Sequence, residues 1–245
     1  MNYLKTIIYI AVLAFLFFDL NGQSKRKPAG YVNVFTGTSN SRWMLFPGPS
    51  MPFGMVKLSP DNQSNVWNGG YEYTISSISG FSHIHSWSMS GLSIMPTTGT
   101  IKTFPGPADG PFKHMWTAGY RSRFHKEEET ASVGYYRVRL YDYDILAELT
   151  ATQRCGYLRF TFPETDQANI LFNFNFEFEE NNPAIHEAYV KKLSDTEIEG
   201  FVKKYSSFAD EYTVHFVARF SKPMKSFKTW QRAPFEGYNL YGTEW

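Results

Sequence analysis

The sequence ILFNFNFEF at residues 170–178 decides the fold class. Isoleucine or phenylalanine occupies every second position, and the residues between them are mostly polar. A period of two places alternate side chains on opposite faces of an extended chain. The stretch therefore predicts a β-strand with one almost entirely aromatic face.

Other segments repeat this alternation. Residues 211–220 place Tyr, Val, Phe, Ala and Phe on one side, and the sequence predicts further strands at 135–140, 145–150 and 157–162. Residues 189–201 predict a hairpin that turns near Ser194 and Asp195. Short strands that each have one apolar face indicate two sheets packed face to face. The predicted fold is all-β: one large two-sheet antiparallel β-sandwich, similar to a supersandwich.

The composition limits the classes of partner. The chain has 245 residues, of which 18% are aromatic, so it has enough apolar surface for a large core. A formal net charge of +1 gives no electrostatic basis for binding nucleic acid or an anionic membrane. Cys155 is the single cysteine, so no internal disulfide forms and the core alone must stabilise the fold.

The N-terminus predicts export. Lys5 precedes an apolar run at residues 7–18, and small polar residues follow it. This order is typical of a secretory signal peptide, and the run is shorter than the roughly 20 residues of a spanning helix. We expect a signal peptide at 1–22, a lead-in at 23–30 and the sandwich at 31–245. The predicted location is the periplasm or outer surface of a Gram-negative bacterium, or the medium, without stable membrane insertion.

His83 and His85 are the first candidate functional residues, because they are two positions apart in an extended segment and Trp87 follows. Three interpretations are open. A metal site needs a third ligand, for which Glu72 is the candidate. A sugar site would stack a pyranose on Trp87 and hydrogen-bond its hydroxyls to histidine. Otherwise, the histidines are buried and hydrogen-bonded within a packed loop.

Glycine and proline dominate a second candidate segment, which contains Gly48, Phe53 and Gly54. Glycine permits close backbone approach, and proline stiffens turns. The segment is either a rigid loop that lines a pocket or a structural corner. No paired carboxylates, nucleophile elbow or phosphate loop stands out, so no catalytic residue is assigned.

Ordered motifs give the sequence a resemblance to the family-92 glycoside hydrolases. The resemblance runs from about residue 31 to residue 163 and fades after that. Its motifs are FTGT at 35–38, FPG at 46–48, PFGMV at 52–56, LSPD at 58–61, GYEY at 70–73, GFSHIH at 80–85, GYY at 134–136, AELTAT at 147–152 with Arg154, and RFTFP at 159–163.

This resemblance implies a calcium-dependent, inverting exo-α-mannosidase that acts on α-mannosides or mannose-rich glycans. It also implies an N-terminal β-sandwich followed by an (α/α)6 catalytic barrel that holds the acid, the base and the calcium ligands. The chain ends about where the sandwich should end, so we expect the barrel to be absent. Neither a catalytic nor a metal-binding residue is therefore assigned to this chain.

The resemblance also implies that loops at 37–54 and 83–91 face the barrel and shape the mannose site. The candidate sugar contacts are His83, His85 and Trp87, and the candidate pocket-wall residues are Gly48, Phe53 and Gly54. Ser86 stands where relatives often have an acidic residue, which bears on linkage preference.

Three functions therefore remain open. The chain is the N-terminal module of a mannosidase, either as a fragment or as half of a split enzyme. Alternatively, it is a stand-alone carbohydrate-binding protein without hydrolytic activity. In the third interpretation it is a structural or protein-interaction sandwich in which the motif residues only pack.

Overall fold

The structure, a computed structural model, describes Tyr3 and residues 27–39, 45–62, 69–85, 91–106, 119–174, 185–206, 210–232 and 240–243. The chain divides into two compact units, residues 1–32 and residues 33–245. In the first unit, Pro28–Tyr31 form a 3-10 helix that begins with proline. None of the helices among the described residues has the length and apolar character that membrane crossing requires. The predicted signal peptide and its boundaries remain predictions.

The second unit is built from β-strands, and the prediction of an all-β fold is confirmed. In chain order the strands are β1 (Ser59–Asp61), β2 (Ser77–Ile78), β3 (Gly80–Ser82), β4 (Ser93–Thr98), β5 (Ser122–Arg123), β6 (Thr130–Ser132), β7 (Tyr135–Leu140), β8 (Ile145–Ala151), β9 (Gly156–Thr161), β10 (Ala168–Asn173), β11 (Glu187–Ser194), β12 (Glu197–Ser206), β13 (Asp210–Arg219), β14 (Thr229–Arg232) and β15 (Leu240–Thr243).

All strand pairs are antiparallel. The larger sheets have the strand orders β1-β3-β4-β10, β6-β7-β8-β9 and β11-β12-β13, and β2-β5 and β14-β15 form two-stranded sheets. The hairpin predicted around Ser194 and Asp195 is confirmed as the β11–β12 connection. The strands predicted at 135–140 and 145–150 are confirmed as β7 and β8, which a 3-10 helix at Tyr141–Tyr143 joins.

One hydrophobic core lies between the β6-β7-β8-β9 sheet and the β1-β3-β4-β10 sheet. The alternate residues of β7 and β8 that point inward are fully buried, as a half-exposed antiparallel sheet requires. They pack with Phe81 of β3, Met95 of β4 and Leu171 of β10. Phe81 also contacts Phe160 of β9, with their ring centroids 6.0 Å apart.

Strand β10 contributes to a second apolar contact, on the side opposite Leu171. Phe172 packs against Phe216 and Phe220, with ring centroids 6.1 and 6.0 Å apart, and Phe174 lies 5.7 Å from Phe216. The aromatic face predicted from the 170–178 stretch is therefore confirmed for Phe172 and Phe174, and it meets the inner face of β13. The end of that stretch lies outside the described residues.

Candidate functional site

The loop at residues 45–57, called the Phe53 loop below, presents an exposed aromatic side chain at its tip. A bridge between Ser50 and Lys57 closes its base, and the Gly54 amide donates to the Met51 carbonyl at 2.9 Å. Phe53 has a φ of 57° and is fully exposed, at 104%. A left-handed conformation costs a residue with a side chain about 1–2 kcal/mol. An aromatic residue kept both strained and exposed is typical of a functional position.

Two methionines flank Phe53 and extend its apolar surface. Met51 is 45% exposed and Met55 is 75% exposed. The Met55 amide donates to the Gln153 carbonyl at 2.8 Å, which anchors the loop to the turn between β8 and β9. Met51, Phe53 and Met55, called the Phe53 ridge below, therefore form an apolar surface on a loop that is held in place.

Close backbone packing explains the glycines of this loop. A Cβ on Gly48 would lie 2.0 Å from the Leu58 carbonyl oxygen, and a Cβ on Gly54 would lie 3.1 Å from the Met51 carbonyl oxygen. Gly48 also lines a pocket of about 370 Å³ together with Phe46 and other residues. The three predicted pocket-wall residues, Gly48, Phe53 and Gly54, thus belong to one anchored loop. Their contact with a sugar remains a prediction.

His85 is fully buried beneath this loop, and acceptors face both of its ring nitrogens. Nδ1 donates to the Lys57 carbonyl at 2.8 Å, and Nε2 lies 3.1 Å from Asp61 Oδ1. Phe46 covers the ring, with centroids 5.0 Å apart. This environment is that of the buried, hydrogen-bonded histidine considered from the sequence, and contact between His85 and a sugar remains a prediction.

Asp61 organises the buried polar groups around His85. Its Oδ1 accepts the Ser82 hydroxyl at 2.7 Å, and its Oδ2 accepts the Ser93 hydroxyl at 2.6 Å. Ser82, His85 and Asp61 are the residue types of a Ser-His-Asp triad, but here the serine donates to the carboxylate and all three are buried. The cluster is therefore structural: it fixes the segment that carries His83.

His83 lies between the Phe53 loop and the turn that precedes β9. The Lys57 amide donates to the His83 carbonyl at 2.9 Å, and Nε2 lies 2.3 Å from the position that a Cβ on Gly156 would occupy. Glycine at 156 therefore makes room for the imidazole. Nδ1 is buried and has no hydrogen-bond partner among the residues that the structure describes. Burial lowers the pKa of His83 to about 4, with the Asp61 carboxylate opposing the shift and His85 adding to it.

The lowered pKa of His83 predicts a loss of stability in acid. The unfolded chain takes up the proton near pH 6.5 and the folded chain only near pH 4, so stability falls as the pH drops through that window. The loss reaches about 3 kcal/mol. We expect urea denaturation from pH 7.5 to pH 4 to show this slope in the wild type and a shallower one in His83→Asn. Equal slopes in the two proteins would contradict it.

The remaining predicted residues are Trp87, Ser86 and Glu72. Trp87 and Ser86 fall outside the described residues. Glu72, the candidate third metal ligand, instead accepts the amide and the hydroxyl of Thr74 at 3.2 and 3.0 Å. Within the described ranges, no group of three or more His, Cys, Asp or Glu side chains is placed to hold a metal ion.

A second buried carboxylate connects the motif at 70–73 to the sheet of β6 and β7. Glu129 accepts the hydroxyls of Tyr71 and Tyr136 at 2.7 and 2.6 Å and the ammonium of Lys126 at 3.0 Å. Burial, and after it the Glu129 charge, raises the pKa of both tyrosines, so both remain donors. Lys126 Nζ also lies 4.4 Å from the centroid of the Tyr73 ring.

Comparison with known proteins identifies the family. The profile described as "Glycosyl hydrolase family 92 N-terminal domain" matches residues 31–243. The chain therefore belongs to glycosyl hydrolase family 92 and contains its N-terminal domain. The resemblance found in the sequence motifs is confirmed.

Solved structures support the same assignment. A family GH92 alpha-mannosidase from Bacteroides thetaiotaomicron has a TM-score of 0.77 at 29% identity, over 90% of this chain and 30% of that chain. An inverting GH92 mannosidase from Bacteroides thetaiotaomicron VPI-5482 shares the fold, with a TM-score of 0.65 at 23% identity over 89% of this chain and 28% of that chain.

A curated relative, an "Uncharacterized secreted glycosidase" from Arthroderma benhamiae, is 29% identical over 145 residues. That alignment covers 56% of this chain and 17% of the relative. The chain thus spans less than a third of each of these proteins.

Proposed function

We propose that this chain is the N-terminal, pocket-forming module of an exported, calcium-dependent, inverting exo-α-mannosidase that acts on mannose-containing glycans. The observation that carries the proposal is the family match over residues 31–243, in a chain that spans 30% of a structurally similar alpha-mannosidase. The catalytic acid and base belong to an (α/α)6 module outside this chain. The sandwich contributes shape and sugar contacts to a pocket shared with that module.

The Phe53 ridge supports the proposal that the sandwich forms part of the pocket wall. An exposed apolar surface on an anchored loop is typical of a binding surface, and Phe46 and Lys57 of the same loop contact the buried His85. In the proposed enzyme, Phe53 and the two glycines form part of the pocket wall against the catalytic module. His83 and Trp87 contact the sugar, whereas His85 acts through its neighbours by fixing the segment that carries them.

The proposed calcium ion belongs to the catalytic module. Calcium takes six to eight oxygen ligands, mainly carboxylates and carbonyls. The buried carboxylates of Asp61, Glu72 and Glu129 already accept hydrogen bonds from protein groups. These residues do not fit a calcium site, and no step is assigned to the metal within this chain.

Export is part of the proposal. The apolar run at residues 7–18 has the pattern of a signal peptide, and the curated relative is described as secreted. The proposed location is the periplasm or outer surface of a Gram-negative bacterium, or the medium, where mannose-rich glycans are accessible.

Substitution at Phe53 tests the pocket-wall role, because it separates function from stability. Phe53→Gly relieves the left-handed strain and removes only an exposed side chain, so we expect an unchanged or slightly higher Tm. In the enzyme assembled with its catalytic module, we expect kcat/KM for an aryl α-mannoside to fall roughly tenfold or more. Phe53→Asn, which also tolerates this conformation, should behave in the same way.

Wild-type kcat/KM in both variants would exclude the Phe53 loop from the pocket. Ile101→Ala is a matched control for loss of an exposed apolar side chain on another loop of the same sandwich, because Ile101 is 47% exposed and does not line the pocket at Gly48. Its free energy of unfolding should change by less than about 0.5 kcal/mol, and its kcat/KM should change by less than roughly twofold.

A further inference from the structure

The outer face of the β11-β12-β13 sheet carries a row of aromatic rings that the proposed pocket does not use. Tyr189, Phe201 and His215 are direct cross-strand neighbours. The Tyr189 and Phe201 ring centroids are 5.9 Å apart at an interplanar angle of 26°, and those of Phe201 and His215 are 5.6 Å apart. Tyr189 is 46% exposed and His215 is also exposed.

A second ring pair continues the same face along β12. His186 and Tyr205 stack with centroids 6.4 Å apart at an interplanar angle of 20°. Phe201 and Tyr205 are four residues apart on one strand, a separation of roughly 13 Å at the rise of a β-strand. The aromatic surface is thus longer than one pyranose ring. These five residues are called the aromatic platform below.

The inner face of the sheet explains why the rings point outward. Ile198 and Val202 of β12 are buried, at 2% and 0% exposure, and Phe216 of β13 packs on Phe172. Because side chains alternate, the odd-numbered residues of β12 and β13 must occupy the opposite face. Packing therefore fixes the sheet from one side and leaves the aromatic platform available on the other.

Charged groups around the aromatic platform pair with one another. Lys203 Nζ lies 2.8 Å from Glu211 Oε1, His186 Nδ1 lies 3.3 Å from Glu211 Oε2, and Arg219 lies 3.1 Å from Glu197. Among the described residues, these pairs leave the face without a strong field of one sign that would select a charged partner. Flat rings with a rim of hydrogen-bonding groups match a neutral ligand that has apolar C–H faces and hydroxyl edges.

We propose that the aromatic platform binds a neutral oligosaccharide whose pyranose rings pack against the exposed side chains of Tyr189 and His215. The aromatic ring face is electron-rich and attracts the polarised C–H groups of a sugar. Glu211, Lys203 and His186 supply hydrogen-bonding partners for the hydroxyls. The inference goes beyond the proposed function, because it uses neither the Phe53 loop nor a catalytic module.

NMR titration of this chain with a linear α-mannotriose tests the proposal. We expect the ring-proton signals of Tyr189 and His215 to shift on addition of the trisaccharide. In Tyr189→Ala, affinity should fall roughly tenfold while the melting temperature stays near that of wild type. Tyr157→Ala, which removes a 61% exposed tyrosine on β9, is the matched control and should retain full affinity.

Unchanged Tyr189 and His215 signals at saturating trisaccharide would overturn the proposal. Shifts caused by the catalytic module and not by the trisaccharide would overturn it too, because the platform would then be a surface between modules. Since this readout needs no hydrolysis, failure here and failure of the mannosidase assignment are separate results.

Discussion

Replacing Asp61 by alanine is expected to lower the free energy of unfolding by about 3–5 kcal/mol. The Asp61 carboxylate is fully buried and accepts the hydroxyls of Ser82 and Ser93, and it faces the His85 ring at 3.1 Å. Without it, the buried His85 ring loses a polar neighbour and two buried hydroxyls lose their acceptor. Urea denaturation at pH 7 measures the effect.

Ser93→Ala is the matched control, because it removes one hydrogen bond to Asp61 and leaves the His85 contact intact. We expect a loss of about 1 kcal/mol. If Asp61→Ala destabilises no more than Ser93→Ala, the cluster does not hold the 82–85 segment. In the assembled enzyme, Asp61→Ala should also lower mannoside hydrolysis, because the segment that carries His83 loses its anchor.

Replacing Glu129 by alanine is expected to destabilise the domain by a similar amount, about 3–5 kcal/mol. Glu129 is 1% exposed at its side chain and accepts Tyr71, Tyr136 and Lys126. Its removal leaves two buried hydroxyls and an ammonium group without their carboxylate. Thermal and urea denaturation at pH 7 should both show the loss.

The neighbouring Glu128 gives the control for Glu129. It lies in the same short segment but is exposed, so Glu128→Ala should change stability by less than about 0.5 kcal/mol. Tyr136→Phe removes one donor and keeps the ring, and we expect an intermediate loss of about 1 kcal/mol. Equal stability of Glu129→Ala and Glu128→Ala would show that the buried network contributes nothing.

The strands of the second half were predictable because their side chains alternate strictly. Residues 135–140 and 145–150 form β7 and β8, and Phe172 meets Phe216 as the aromatic pattern requires. The first half gave no such signal. Strands β1 and β3 are three residues long and buried on both faces, so they show no alternation.

The sequence singled out candidate residues but did not predict how they are arranged. The sequence singled out His83, His85 and Phe53, yet it treated the two histidines as equivalent. The two histidines differ in their contacts with Asp61, which lies 22 residues before His83 in the sequence. His85 faces the Asp61 carboxylate, whereas His83 faces Gly156. Such contacts depend on strand pairing across the sheet, which local periodicity does not encode.

Several family motifs have a structural role in this sandwich. Phe35 contacts Tyr71 and Tyr73, with ring centroids 6.4 and 5.6 Å apart, and the Tyr73 amide donates to the Thr38 carbonyl at 2.9 Å. Glu129 then connects Tyr71 to the β6–β7 hairpin. The motifs at 35–38 and 70–73 thus support one another, whereas the Phe53 loop exposes Pro52, Phe53 and Met55 of its motif to solvent. This contrast favours the Phe53 loop as the functional part.

Hydrolysis of an aryl α-mannoside and of α-mannobiose by purified residues 23–245, with calcium present, tests the central claim most directly. The proposed function predicts no turnover by this chain alone, and turnover when a family-92 C-terminal module from the same gene or gene cluster is added. Turnover by the isolated chain would contradict the proposal, because the sandwich would then carry its own acid and base.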